Sequence, residues 1–149
     1  MQLFQMEQSA KTSDDYLTPA WVFDTLSLTF DLDVASPPWD THVPATHKFT
    51  KADDGLTQPW TGRVWMNPPY SKVTPWVNRF IDHRHGIAFV PFARSHWLNR
   101  LWDESDGLVI PANIGSFAFA GGQTMAYPVY LAAFGDECVK AISYLGRVR

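Results

Sequence analysis

The pair Pro68-Pro69 constrains this chain more than any other feature. It follows Arg63-Val64-Trp65-Met66-Asn67 and precedes Tyr70 and a Thr74-Pro75 step. Consecutive prolines fix two φ angles and remove two N–H donors, so neither a strand ladder nor a helix runs through them. The apolar run Val64-Trp65-Met66 is therefore predicted to be a short buried strand that stops at Asn67. Thr74-Pro75 is a cap-plus-proline signal for a new helix. Trp76, Val77, Phe80 and Ile81 share one face of that helix, which is expected to end near Gly86. Asn67-Pro68-Pro69-Tyr70 thus sits at the carboxyl end of a strand, where open α/β sheets bind ligands.

The same punctuation recurs along the chain. Thr18-Pro19 opens a predicted helix from Pro19 to Leu28, with Trp21, Val22, Phe23 and Leu26 toward the core. Phe30-Asp31-Leu32-Asp33-Val34 alternates apolar and acidic residues, a period-two strand pattern. Ser36 to Gln58 reads as a long, mostly irregular excursion, a feature that is usually functional in a small domain. Ile87-Ala88-Phe89-Val90 is a buried strand, and Ser95 caps a short helix carrying Trp97, Leu98, Leu101 and Trp102. Leu108-Val109-Ile110, Phe117-Ala118-Phe119 and Val129 to Phe134 read as strands, and Asp136 caps a last helix through Leu145. Strands alternating with helices give an α/β fold with a largely parallel sheet and an antiparallel late edge. A length of 149 residues fits one domain over residues 14–149, with residues 1–13 a flexible N-terminal segment.

Composition bounds the function classes. A single cysteine, Cys138, excludes an internal disulfide framework and a four-thiolate metal site, and reads as a small core residue. No apolar run reaches the roughly 20 residues of a membrane helix, and the N-terminus lacks signal-peptide order, so a cytoplasmic protein without a membrane partner is expected. The net charge of −3 argues against a partner bound by phosphate neutralisation, but its distribution does not. Residues 1–62 hold nine acids and three bases, whereas residues 63–100 hold six bases, Arg63, Lys72, Arg79, Arg84, Arg94 and Arg100, against Asp82 alone. The basic middle is either a polyanion-facing surface or a set of solvated helix faces.

The tetrapeptide also suggests a chemistry. The prolines leave neighbouring carbonyls as outward acceptors, Asn67 adds an amide oxygen, and Tyr70 adds a flat aromatic face. An exocyclic amino group on a base is a poor nucleophile because its lone pair is delocalised into the ring. Two acceptors, the Asn67 side-chain oxygen and the Pro68 carbonyl, suit its two N–H bonds and would aim the lone pair at an electrophile. Tyr70 suits stacking on a base flipped out of a duplex. A plain strand-terminating turn and an Asn-Pro-x-Tyr peptide ligand are the competing readings, although such ligands sit in exposed tails.

Further segments narrow the choice: Asp15-Tyr16-Leu17-Thr18-Pro19, Phe30 to Ser36, Asp53-Asp54-Gly55-Leu56, and Val64 to Ser71, with a fainter Pro91-Phe92-Ala93-Arg94. With these residues the sequence resembles the amino-methyltransferases and, more narrowly, the small phage-borne DNA N6-adenine methyltransferases. The resemblance covers residues 14–100. It implies S-adenosylmethionine as methyl donor, adenine in double-stranded DNA as substrate, and Asn67, Pro68, Pro69 and Tyr70 as the catalytic set. It places Tyr16, Thr18 and Pro19 at the methionine end of the cofactor, puts the cofactor-binding residues Asp33, Ala35 and Ser36 where related enzymes have a first-strand acidic motif, and sets Asp54, Gly55 and Leu56 against the adenosine. Because Asp33 and Asn67 are only 34 positions apart, the implied fold is an abbreviated Rossmann-like class I methyltransferase sheet. A phage or prophage protein in a bacterial host is implied.

The sequence departs from that pattern in two places. Ala35-Ser36-Pro37-Pro38-Trp39 stands where a glycine-rich loop is usual, and Gly115 to Phe119 lacks an Arg-x-Lys element. With no separate target-recognition domain expected, sequence specificity would be relaxed, or recognition shared across a homodimer rather than made by a monomer. Lys72, Arg79, Arg94 and Arg100 are the candidate phosphate contacts. Trp39 and Trp60 are candidates for cofactor or base contacts. No metal is expected: His83-x-His85 belongs to a helix end, and His42, His47 and His96 lack a carboxylate-rich partner set. Ser71 and Ser95 have no His/Asp partners for nucleophilic catalysis. The same chemistry on RNA or a protein glutamine, and a non-catalytic DNA-binding or inhibitory module, are the alternatives.

Overall fold

A computed structural model describes residues 17–111 and 129–149. Tyr16, the 1–13 segment and the expected strand Phe117 to Phe119 lie outside the described residues. In chain order the elements are α1 (Ala20–Leu26), β1 (Phe30–Asp33), β2 (Ala45–Lys48), β3 (Val64–Met66), α2 (Val73–His83), β4 (Gly86–Pro91), α3 (His96–Glu104), β5 (Gly107–Val109), β6 (Val129–Phe134) and α4 (Asp136–Ile142). Among the described residues, six strands form one mixed sheet in the order β2-β1-β3-β4-β6-β5. The first four are mutually parallel, and β6 runs antiparallel to β4 and to β5, which is the expected late edge.

Period-two alternation sends successive side chains to opposite faces of the sheet. Trp65 of β3 points to one face, where α1 and α4 add Val22, Phe23, Leu26, Cys138, Ala141 and Ile142. Phe23, Phe30 and Phe89 surround the Trp65 ring at centroid distances of 4.8, 5.5 and 5.8 Å. Val64 and Met66 point to the other face, against Trp76, Val77, Phe80 and Ile81 of α2 and Trp97 and Leu101 of α3. Each sheet face is thereby closed by helices.

Several local expectations shift. Pro19 is extended (ψ 150°), so α1 starts at Ala20 and Thr18 is not its cap. Helix α2 starts at Val73, which puts Thr74 and Pro75 inside its first turn, where the missing proline N–H has no intrahelical partner to lose. It ends at His83, with Arg84 rather than Gly86 in the left-handed conformation (φ 60°). Gly86 instead opens β4 at φ 143°, and a Cβ there would lie 2.1 Å from the Val64 carbonyl oxygen, so only glycine lets β4 approach β3. Ser95 occupies the α3 cap position without a side-chain cap bond, and the cap of α4 is Gly135, not Asp136. The excursion between Ser36 and Gln58 contains β2, whose residues are mostly exposed, so no burial periodicity marked it.

Candidate active site

The order of the strands creates the site. From β1 the chain steps outward to β2, then returns across β1 to β3 on the other side. The succession of strands therefore reverses between β1 and β3, and open α/β sheets bind ligands outside the carboxyl ends of the strands at such a point. Val34, Ala35 and Ser36 leave β1 there, and Asn67-Pro68-Pro69-Tyr70 leaves β3 beside them, the two exits being joined by Val34 N–H donating to the Trp65 carbonyl at 3.2 Å. Sequence segments far apart in the chain thus meet at one end of one strand pair.

Asn67 is held in a defined orientation. Its Nδ2 donates to Thr18 Oγ1 at 3.3 Å, and Thr18 is only 5% exposed. Since Nδ2 is committed to Thr18, the Oδ1 end of the amide faces away as an acceptor. Thr18 therefore touches the tetrapeptide itself, a contact its assignment to the cofactor did not include. Pro19 follows it as the extended residue before α1. Pro68 is buried, and Asn67, Pro69 and Tyr70 are half-buried.

Asp33, the last residue of β1, is 3% exposed. The alternating pattern of Phe30 to Val34 allowed a solvent-facing pair of acids, but β1 is an interior strand, and only Asp31 is exposed. Asp31 accepts from the Arg63 N–H at 2.7 Å. The Asp33 carboxylate accepts a weak bond from Ala35 N–H at 3.3 Å, and Lys48 on the paired strand draws its pKa down. Burial outweighs both and pushes the group from 3.8 up to about 7.

The loop after β2 closes the β1 side. Phe49 N–H donates to the Asp33 carbonyl and Ser36 N–H to the Phe49 carbonyl, both at 2.8 Å, while Ser36 Oγ donates to the Pro37 carbonyl. Asp53 Oδ2 accepts from the Thr50 N–H and hydroxyl, Asp54 is exposed with φ 55°, and Leu56 packs on the α2 side of the core. A Cβ on Gly55 would fall 2.1 Å from the Val34 carbonyl oxygen and 3.1 Å from the Trp76 ring, so the loop backbone rests directly on the end of β1.

Trp60, expected among the cofactor or base contacts, is buried. Its Nε1 donates to the Gly55 carbonyl at 2.8 Å, and its ring stacks on Trp76 at 6.4 Å. It anchors the loop from behind. Trp39 is half-buried, and its carbonyl accepts from Lys48 Nζ.

Two of the four candidate phosphate contacts are committed elsewhere. Arg79 donates to the Gln58 carbonyl at 2.8 Å and lies over the Trp60 ring at 5.2 Å, clamping α2 to the loop. Arg100 pairs with Glu104 and donates to Asn78 Oδ1 at 2.6 Å, joining α3 to α2. Charge along a sequence carries no information on such internal partners. Lys72 and Arg94 are exposed on the segments that follow β3 and β4, at the carboxyl edge.

Phe92, singled out by no catalytic pattern, lies two residues before Arg94 and is 56% exposed, with its ring stacked on Tyr130. An aromatic residue placed directly after the apolar run Ile87 to Pro91 is the signal that marks it. His83 Nε2 is bonded to the Gly62 carbonyl at 2.7 Å, a structural tie at the opposite end of the sheet. Among the described residues no three His, Cys, Asp or Glu side chains gather in a metal-holding group. Cys138 is buried, and burial pushes its thiol pKa up, disfavouring the thiolate. Among the described residues no helix is long and apolar enough to cross a membrane.

The sequence model of the DNA N-6-adenine-methyltransferase (Dam) family matches residues 5–105. A DNA N-6-adenine-methyltransferase of Haemophilus phage HP1 (strain HP1c1) is 39% identical to the chain over 83 residues, covering 51% of this chain and 47% of the relative. The chain thus spans about half the length of the curated relative it matches. No solved structure matches it. The family match takes in β1, the Gly55 loop, the strand-ending tetrapeptide and α3 together, and on that ground this chain belongs to the DNA N-6-adenine-methyltransferase family.

Proposed function

We propose that the protein transfers a methyl group from S-adenosylmethionine to the N6 amino group of an adenine flipped out of double-stranded DNA, on an abbreviated Rossmann-like class I methyltransferase sheet. The donor set at the strand reversal suits that cofactor. Its ammonium and sulfonium groups are cationic, and Asp33 is a buried carboxylate whose ionised form has, among the described residues, only a weak Ala35 N–H bond and the Lys48 charge to offset its burial. Thr18 and Pro19, with Asp33, Ala35 and Ser36 at the end of β1, would hold the methionine portion, with Tyr16 assigned there by family resemblance. Asp54, Gly55 and Leu56 would hold the adenosine. When bound, the cofactor supplies an electrophilic methyl group.

The chain's own residues prepare the amino group. Asn67 Oδ1, turned outward by the Nδ2 bond to Thr18, accepts one of its N–H bonds, and the Pro68 carbonyl accepts the other. That pairing disfavours delocalisation of the lone pair into the ring and directs it along one line. Tyr70 stacks on the extruded base and replaces part of the stacking lost from the duplex. Lys72 and Arg94 neutralise phosphates at the rim.

The observation that carries this reading is the placement of an oriented Asn67 and a buried Asp33 at the carboxyl ends of adjacent strands, where the strand order reverses between β1 and β3. The test is incorporation of labelled methyl into duplex DNA by the protein and by Asn67→Ala. The variant is expected to lose at least about 100-fold in turnover, as when one oriented transition-state contact is removed, while calorimetry still detects cofactor binding. Wild-type turnover by the variant would overturn the role of Asn67. Label in RNA or in a protein glutamine, but not in DNA, would transfer the reading to that substrate. DNA binding without cofactor binding would make the protein a non-catalytic module.

A further inference from the structure

A second contact surface lies beside the tetrapeptide. Strand β4 neighbours β3, and Pro91, its last residue, pairs with Val129, the first residue of antiparallel β6. The segment leaving β4 therefore emerges at the same edge as Asn67 to Tyr70, on the neighbouring strand and three residues, about 10 Å, beyond the level of Met66. Phe92 opens that segment. Its ring lies at 5.2 Å and 19° to the Tyr130 ring, an arrangement that braces one face and leaves the side chain 56% exposed. Tyr130 itself is 8% exposed and belongs to the core against α2 and α3, so the support is rigid. Arg94 is exposed two residues on.

We propose that Phe92, backed by Tyr130, is a stacking platform for a nucleobase neighbouring the flipped adenine, with Arg94 on the adjoining phosphate. The inference rests on the DNA substrate proposed above. Three features favour a nucleic-acid occupant over a protein one. A single flat ring braced from behind matches the π-face of one base rather than the broad apolar area of a protein interface. An exposed cation, Arg94, lies two residues along the same segment, available to the phosphate that follows a stacked base. The surface also adjoins the tetrapeptide, from which a flipped base would leave its neighbours unstacked.

The test measures binding of the full-length chain to a fluorescently labelled duplex and to a single-stranded oligonucleotide, by anisotropy over a salt series. Phe92→Ala is expected to weaken binding roughly 5- to 100-fold, the range of one base stack, without changing the salt slope. Phe92→Trp is expected to retain wild-type affinity. Arg94→Ala is expected to reduce the magnitude of the salt slope by about 1. Both Phe92 variants should bind S-adenosylmethionine as the wild type does, which verifies that they fold. Equal DNA affinity of Phe92→Ala and wild type overturns the platform and leaves the methyltransferase reading standing. Loss of self-association in Phe92→Ala at unchanged DNA affinity also overturns it and identifies a contact between copies. Absence of DNA binding by the wild type overturns both readings.

Discussion

Replacing Asp33 by Asn should stabilise the protein, and most strongly at alkaline pH. In the folded protein the Asp33 pKa is raised from 3.8 to about 7 because burial penalises the anion more than Ala35 N–H and Lys48 relieve it. The unfolded chain ionises near 3.8, so between that value and about 7 the folded state holds the extra proton. Stability therefore falls as pH rises through this window. At about 1.4 kcal/mol for each pH unit, the full penalty comes to about 4 kcal/mol once pH exceeds 7. Asparagine keeps the oxygen that accepts from Ala35 N–H and carries no charge, so the penalty disappears.

Urea unfolding of wild type and Asp33→Asn from pH 4 to pH 8.5 measures this directly. The two should be similar near pH 4 and diverge steadily to about 4 kcal/mol above pH 7. The variant should lose affinity for S-adenosylmethionine, since the buried anion is the group that a cationic ligand would satisfy. Parallel stability curves over the whole range, or a variant less stable than wild type at pH 8, would refute the argument that Asp33 is buried without an adequate partner.

Gly55→Ala should destabilise the protein by about 1–3 kcal/mol in thermal or urea unfolding, because its Cβ would overlap the Val34 carbonyl oxygen and crowd Trp76. The same variant should weaken cofactor binding in calorimetry, since relief of the overlap lifts the loop off the end of β1. Arg79→Ala should cost about 1–2 kcal/mol of stability and leave the salt slope of DNA binding unchanged, because its guanidinium is engaged with the Gln58 carbonyl and the Trp60 ring. Lys72→Ala should do the reverse, reducing the salt slope by about 1 with unchanged unfolding.

The parts of the fold that could be read in advance are those governed by neighbouring residues. Trp76, Val77, Phe80 and Ile81 repeat at helical spacing and do face the core. Val64 to Met66 and Val129 to Phe134 are fully buried runs and do form interior strands. Strand β2 escaped notice because Ala45-Thr46-His47-Lys48 lies at the sheet edge and its backbone pairing, not its side chains, defines it. Thr18 reads as a helix cap because Thr-Pro commonly opens helices, but its hydroxyl bonds to Asn67, 49 positions away.

The sequence alone determined an alternation of strands and helices and the placement of Asn67-Pro68-Pro69-Tyr70 at the end of a buried strand. Those features depend on periodicity and on the covalent restrictions of proline, which act over a few residues. The tertiary structure was needed to establish that the strand order reverses between β1 and β3, that Asp33 is buried, and that Arg79 and Arg100 are committed within the fold while Lys72 and Arg94 are exposed. Desolvation and charge pairing depend on which groups pack together across the sheet. Residues from separate parts of the chain supply those groups, so local pattern carries no record of them.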